Sequence, residues 1–146
     1  MNTHYRVVVI GGGVVGASVI YHLAKLGWSD VVMLERSVLT AGSSWHAAGG
    51  IHALNADPNI AGLQAYTIDL LQEIEAESGQ NIGLHMTGGL TMAGTPDRWE
   101  WLQSAYRVFQ SIGIDDCHLV SPEEAAKLNP IMSTDGLLGG MWADRE

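Results

Sequence analysis

Two short apolar runs flank an amphipathic segment within the first 35 residues. The first run, Val7–Ile10, is entirely β-branched, which is typical of a strand buried on both faces of a parallel sheet. Apolar residues then recur at helical spacing at Val15, Val19, Leu23 and Leu26, and Gly27 is well suited to end a helix. A second apolar run, Val31–Leu34, follows. The pattern therefore predicts a β-α-β unit.

The turn between the first strand and the helix has the spacing G-x-G-x-x-G, at Gly11, Gly13 and Gly16. These glycines allow, in order, a tight turn, close approach of the backbone to a pyrophosphate, and close packing of helix on strand. The helix N-terminus offers unpaired N–H groups to phosphates. Glu35 lies about 20 residues further on, where a carboxylate accepts from a ribose hydroxyl, which favours NAD or FAD over NADP. The unit is therefore predicted to bind a dinucleotide.

Beyond residue 57 the pattern changes to helices that alternate with short strands. Asp57 and Pro58 are suited to begin a helix, and Gly79 is suited to end it. Its predicted apolar face consists of Ile60, Leu63, Thr67, Leu70, Leu71 and Ile74. Residues 82–93 predict short strands, of which residues 89–93 form the clearest one.

A second helix is predicted to begin at residues 95–97 and to end before Gly113. Its predicted core face consists of Trp99, Leu102, Tyr106, Phe109 and Ile112. Residues 118–120 predict a strand, Ser121 and Glu124 form the capping box of a helix that continues to Leu128, and residues 137–142 predict a last strand. The fold class is therefore α/β, with a Rossmann-like β-α-β unit leading into the start of an α+β domain.

The chain of 146 residues carries a net charge of −9. Two strands are too few for a complete dinucleotide-binding domain. We therefore expect an N-terminal fragment of a larger enzyme, with residues 1–80 in the cofactor-binding domain and residues 81–146 beginning a substrate domain. The acidic charge disfavours nucleic acid and anionic membranes as partners. The first strand leaves no room for a leader, which predicts a cytoplasmic protein.

Residues 42–50 form a glycine- and serine-rich segment where a third strand and helix would be expected. Ser43 and Ser44 can donate hydrogen bonds to phosphate oxygens, and the adjacent Trp45 and His46 are unusual for a plain surface loop. The six histidines and the single Cys117 show no metal-ligand spacing, so no metal site is predicted. No catalytic residue is identifiable from spacing.

The segment Leu39-Thr40-Ala41-Gly42-Ser43-Ser44-Trp45-His46-Ala47-Ala48-Gly49 resembles the dimethylglycine/sarcosine dehydrogenase family. These are FAD-dependent N-methyl amine oxidoreductases with the D-amino-acid-oxidase-type fold. The resemblance extends more loosely over residues 21–27, 34–36, 75–79, 88–90 and 121–123. Two positions depart from it, because the family often has threonine in place of Ser44 and leucine in place of Gly50.

The resemblance implies that His46 is joined covalently to the flavin 8α-methyl group and that Glu35 binds the adenosine ribose, with Arg36 beside it. The cofactor-binding residues expected from motif and resemblance are Gly11, Gly13, Val14, Val15, Gly16, Glu35, Arg36, Gly42, Ser43, Ser44, Trp45, His46, Ala47, Ala48, Gly49 and Gly50.

The resemblance also implies the reaction. A hydride passes from the N-methyl carbon of an amine such as dimethylglycine or sarcosine to flavin N5, and the resulting iminium releases formaldehyde or passes its carbon to tetrahydrofolate. Relatives often carry the folate site in a C-terminal domain, and the final electron acceptor is oxygen or an electron-transfer flavoprotein. The residues themselves leave two alternatives: an NAD-dependent dehydrogenase, and a non-catalytic FAD-binding component of a folate-linked aminomethyltransferase-like protein.

Overall fold

A computed structural model describes residues 3–146. The chain forms two compact units, one running to Gly49 and the other spanning Gly50–Glu146. The units therefore separate in the glycine-rich segment, about thirty residues before the boundary expected from the sequence. The assignment of residues 1–80 and 81–146 to two functional domains stays a prediction.

The first unit is the predicted β-α-β unit. It consists of β1 (Val7–Ile10), α1 (Val14–Lys25) and β2 (Val31–Leu34). The two strands are parallel, with Val7 paired to Val31 at the start of the ladder. The helix begins directly after the glycine turn, one residue before the first apolar position of the predicted helical spacing. It ends before Gly27, which has φ +85° and donates its N–H to the Ala24 carbonyl over 2.9 Å.

The prediction that β1 is buried on both faces is wrong. Only Val9 is buried, whereas Ile10 is 86% exposed and Val8 is 47% exposed. In residues 3–146, β1 pairs only with β2, and α1 itself has no buried residue. The β-branched composition is typical of strands covered on both faces, and the described residues do not provide that cover for β1.

The second unit combines helices with an antiparallel sheet. Its elements are α2 (Pro58–Ser78), β3 (Gly89–Ala93), α3 (Pro96–Ser111), β4 (Cys117–Val120), α4 (Pro122–Leu128) and β5 (Gly139–Ala143). β5 lies between β3 and β4 and is antiparallel to both. The largest fully buried side chains are Phe109, Leu102 and Met141, which place the core between α3 and the sheet.

The predicted helix ends in this unit are confirmed by their caps. The Asp57 side chain accepts from the Asn59 and Ile60 amides over 2.9 and 3.1 Å, and Gly79 has the left-handed conformation after α2. Both bonds of the capping box between Ser121 and Glu124 are present at the start of α4. Side-chain capping satisfies N–H groups that a first helical turn cannot pair internally.

Three details of the second unit differ from the sequence prediction. Residues 82–88 form no strand, and β5 begins at Gly139. The core faces predicted for the two helices are each partly wrong. For α3, Leu102 and Phe109 are buried as predicted, but Ile112 is 37% exposed. In α2, Leu70 is buried as predicted, but Ile60 and Leu63 are exposed, and Ala61, Ala65 and Ile68 pack in the core instead. Small side chains let a helix approach closely, so apolar size alone misidentified the buried stripe.

Candidate cofactor-binding site

The glycine turn after β1 is too tight for side chains. Gly11 has φ +107° and donates its N–H to the Leu34 carbonyl over 2.8 Å, which ties the turn to the end of β2. A Cβ on Gly16 would lie 1.9 Å from the Gly11 carbonyl oxygen. Gly16 therefore lets α1 begin directly against the end of β1, as the motif requires.

The first turn of α1 presents its backbone amides outward. Its N-cap, Gly13, has no side chain to cap them, and the first turn contains no acidic residue. The Val14 amide donates to Ser44 Oγ over 2.8 Å. Within residues 3–146, the amides of Val15 and Gly16 make no hydrogen bond, and Val15 is 74% exposed. Such amides at a helix N-terminus suit an anion.

Glu35 is bonded to the same turn. Its Oε2 accepts from the Gly12 amide over 2.7 Å, and its Oε1 accepts from the Ser37 amide over 2.9 Å. These two bonds, first that of Gly12, hold the pKa of Glu35 below its ordinary value, and the charge of Arg36 acts in the same direction. An ionised carboxylate accepts about four hydrogen bonds, so Glu35 keeps capacity for ribose hydroxyls.

The segment after β2 folds back onto the glycine turn. Thr40 donates its N–H to the Gly12 carbonyl over 2.9 Å and has φ +67°, which is uncommon for a β-branched residue. The Leu39 side chain lies against Gly12, where a Cβ would approach it to 2.6 Å. The Trp45 amide then donates to the Thr40 carbonyl over 3.0 Å. The loop that carries Trp45 and His46 is thus attached to the glycine turn.

The ring of His46 is held in one tautomer. Its Nδ1 lies 2.9 Å from the Gly42 carbonyl oxygen. A carbonyl only accepts, so in the neutral ring Nδ1 carries the proton and Nε2 keeps its lone pair. His46 is exposed, as is the neighbouring Trp45, whose exposed fraction is 76%. In this tautomer the nitrogen with the lone pair is the one that is not bonded to Gly42.

The first unit thus contains all of the predicted cofactor-binding residues except Gly50, which begins the second unit. There Gly50 lines a small cleft together with Ile51, His52, Gln64 and Thr67. Gly12 and Thr40 make hydrogen bonds within the site but were not among the predicted cofactor-binding residues. Their signals were available, because Gly12 is the middle of three consecutive glycines and Thr40 lies within the segment that carries the resemblance.

The charged groups and the thiol described in the second unit have structural roles. Arg145 bridges Asp69 over 2.6 Å and also contacts Asp116. Burial is the main cause that raises the pKa of the Cys117 thiol to about 11, so the thiolate is scarce at neutral pH. Across residues 3–146, no group of three or more His, Cys, Asp or Glu side chains is arranged to hold a metal ion. None of the helices described is both long enough and apolar enough to span a bilayer.

The first unit brings hydrogen-bond donors and an acceptor carboxylate together at one turn. Outward amides at the first turn of α1 suit the phosphates, and the absence of a side chain on Gly13 leaves room beside them. Glu35 lies at the same turn with unused acceptor capacity. Donors suited to anionic oxygens and an acceptor suited to hydroxyl groups therefore lie side by side on this surface.

Comparison with known families agrees with this chemistry. The family model described as FAD dependent oxidoreductase, DAO, matches residues 6–146. The chain belongs to this family. The family uses FAD, which decides between the two cofactors, NAD and FAD, that Glu35 leaves open.

Individual relatives show which kinds of protein within the family this chain is similar to. The chain is 38% identical to rat dimethylglycine dehydrogenase over 136 residues, which cover 92% of this chain and 16% of the relative. It is 37% identical to human sarcosine dehydrogenase, over 97% of this chain and 15% of the relative. It is also 33% identical to the mouse pyruvate dehydrogenase phosphatase regulatory subunit, over 97% of this chain and 16% of the relative. The chain therefore spans about one sixth of these relatives.

Solved structures show the same fold. L-proline dehydrogenase from P. horikoshii superposes with a TM-score of 0.87 at 23% identity, over 99% of this chain and 38% of that one. Glycine oxidase from Geobacillus kaustophilus superposes with a TM-score of 0.74 at 26% identity, over 97% of this chain and 39% of that one. The predicted D-amino-acid-oxidase-type fold is confirmed.

The expected cytoplasmic location is wrong. The dimethylglycine and sarcosine dehydrogenases that the chain resembles are mitochondrial proteins. The expectation rested on the short distance from Met1 to the first strand. In a sequence that spans about one sixth of its relatives, that distance carries no information about targeting.

Proposed function

We propose that this chain is the N-terminal part of an FAD-dependent enzyme that oxidises the N-methyl group of a small amino acid such as dimethylglycine or sarcosine. The observation that carries the proposal is identity of 37–38% to dehydrogenases of these two amines over 92–97% of the chain. When bound, FAD supplies a two-electron acceptor for oxidation of a carbon next to nitrogen.

The residues of the first unit have separate tasks in this proposal. The amides at the first turn of α1 bind the pyrophosphate, with Val14 and Val15 beside it. Glu35 accepts from the adenosine ribose, and Arg36 lies next to it in the chain. Residues 42–50 run past the isoalloxazine ring. The outward first-turn amides and the ionised Glu35 support this assignment.

His46 is the proposed covalent attachment point. Its Nδ1 donates to the Gly42 carbonyl, so the lone pair for bond formation is on Nε2. Attachment at Nε2 would replace one C–H bond of the 8α-methyl group by a C–N bond, and the ring would then release its Nδ1 proton. The two protons and two electrons released would reduce one dioxygen to hydrogen peroxide, which balances the step.

The amine substrate is tested with the full-length protein under anaerobic conditions. Dimethylglycine or sarcosine is expected to bleach the flavin absorbance, with formaldehyde released in the absence of tetrahydrofolate and diminished in its presence. A nonmethylated amine, glycine, is the matched control and is expected to leave the absorbance unchanged. Bleaching by glycine but by neither N-methyl amine would contradict the proposed substrate class.

A second candidate function is a non-catalytic FAD-binding component. The similarity to a phosphatase regulatory subunit over 97% of the chain favours it, because that relative is named for regulation. In that case the full-length protein would bind FAD stably but show no bleaching with any N-methyl amine. The same experiment therefore separates the two candidates.

A further inference from the structure

Ser44 connects the first turn of α1 to the loop that carries His46. Its Oγ accepts from the Val14 amide over 2.8 Å, although the two residues are thirty positions apart. A Cβ on Gly13 would come within 3.1 Å of the same oxygen. The hydroxyl therefore lies beside the N-cap glycine and serves the helix as a cap supplied from a distant segment.

Ser44 also lies within the turn that fixes His46. The His46 amide donates to the Ser43 carbonyl over 3.1 Å, and the His46 ring bonds to the Gly42 carbonyl over 2.9 Å. The next amide, that of Ala47, donates to the Ser44 carbonyl over 3.4 Å. Backbone and ring of His46 are thus both held by residues 42–44, so a displacement of Ser44 displaces the imidazole.

No other hydrogen bond joins residues 41–49 to the glycine turn in the part of the chain that the structure describes. The remaining attachment is that of Thr40, whose N–H donates to the Gly12 carbonyl. Thr40 precedes the turn and has the strained φ of +67°. Without the Ser44 bond, the His46 turn would be attached to the glycine turn at one end only.

We propose that Ser44 is a positioning residue that holds His46 in place for covalent attachment of the flavin. This inference rests on the proposed role of His46 and adds a requirement for the Ser44 hydroxyl. The oxygen accepts from Val14, so the hydroxyl proton stays available to an anion at the same turn. One side chain thereby links the phosphate end of the cofactor site to the imidazole.

The test uses full-length protein prepared without flavin and then mixed with saturating FAD. The variants are Ser44→Ala, which removes the hydroxyl, and Ser44→Thr, which keeps it. Ser29→Ala is the matched control, because Ser29 is an exposed serine of the same unit at the turn between α1 and β2. Acid-precipitable flavin is measured over time, together with total bound flavin and the thermal midpoint.

Ser44→Ala is expected to slow covalent attachment about tenfold, since one hydrogen bond that orders the loop is lost. At saturating FAD the total bound flavin should stay near the wild-type value, and the thermal midpoint should fall only by the few degrees that the loss of one helix cap costs. Ser44→Thr is expected to restore the rate to within about threefold, and Ser29→Ala to leave it unchanged. A merely structural role would lower the total bound flavin in step with the rate of attachment.

Attachment at the wild-type rate in Ser44→Ala would overturn the inference, and so would equal slowing in Ser44→Thr. Wild-type protein that binds FAD without acid-stable flavin would overturn both the covalent link and the role of Ser44, but not FAD binding. Amine-dependent bleaching in such a protein would still support the proposed oxidation. Failure of the inference and failure of the proposed function therefore give different results.

Discussion

The Gly12 amide donates to Glu35 Oε2 over 2.7 Å, which bonds the acid at the end of β2 to the middle glycine of the turn after β1. The bond thereby joins the carboxyl ends of the adjacent strands β1 and β2. It holds the carboxylate where the motif predicts a ribose. The same bond is the largest cause of the lowered pKa of Glu35. Position and ionisation of this side chain consequently have a common origin.

Glu35→Gln is expected to weaken FAD binding and to lower the thermal midpoint at pH 7. The lowered pKa means that the stabilisation by Glu35 is fully present above its unfolded pKa of about 4.3. It is lost as the pH falls through the lower folded value. The difference between wild type and variant, measured by thermal unfolding from pH 7 downward, should therefore shrink below about pH 4.3. Glu100→Gln, at an exposed position on α3, is the control; a constant difference at all pH values would contradict the prediction.

Gly16→Ala is expected to destabilise the first unit by about 3 kcal/mol or more and to abolish flavin binding, because overpacking against backbone is costly. The added Cβ would lie 1.9 Å from the Gly11 carbonyl oxygen, which cannot move without changing the turn. Gly62→Ala is the matched control within α2, where no atom lies within 4 Å of the added Cβ. That control should gain roughly 0.5–1 kcal/mol from helix propensity. Equal effects of the two variants in chemical denaturation would refute the steric argument.

Cys117 is expected to resist thiol reagents in the folded protein at pH 8 and to react after unfolding. The thiol is buried, and its pKa is raised to about 11, so little thiolate is present. A raised pKa stabilises the fold fully below the unfolded value of about 8.5, and this contribution is lost as the pH rises through about 11. Cys117→Ala should flatten the alkaline part of the stability profile. Rapid labelling of native protein by a disulfide reagent would contradict the prediction.

The two carboxylates that contact Arg145 are expected to differ in their contributions. The Asp69 side chain is 59% exposed and that of Asp116 is 22% exposed. Solvent screening should reduce the cost of Asp69→Asn to less than about 0.5 kcal/mol. Asp116→Asn should cost about 1–2 kcal/mol, since its hydrogen bond to the guanidinium is better shielded. Urea unfolding of the two variants provides the measurement, and a larger cost for Asp69 would contradict the assignment.

Local signals in the sequence were sufficient for most of the elements. Asp57, Gly79 and the pair Ser121 and Glu124 fix helix ends through bonds to neighbouring backbone, so their effect is visible within a few residues. Burial depends on distant neighbours, and here the sequence misled. Ile10 has the composition of a buried strand residue and is 86% exposed, because its side of the two-stranded sheet is not covered in the described residues.

In the candidate site, too, local features could be predicted from the sequence and contacts between distant residues could not. The roles of Gly11 and Gly16 follow from spacing, because a tight turn and a close approach leave a fixed pattern of glycines. The bond from Val14 to Ser44 joins residues thirty positions apart, and nothing in either local sequence specifies it. The backbone conformation of Thr40 could not be predicted from residue propensities either, since threonine rarely adopts a positive φ.

The acceptor that fixes the proton on His46 is a main-chain carbonyl, that of Gly42. A main-chain acceptor is retained when the side chain changes. Gly42 has a negative or extended φ, and an added Cβ would meet no atom within 4 Å. A saturation library is therefore expected to tolerate many amino acids at position 42 and few at position 46. The position of the proton on the imidazole is thus expected to survive substitution of residue 42.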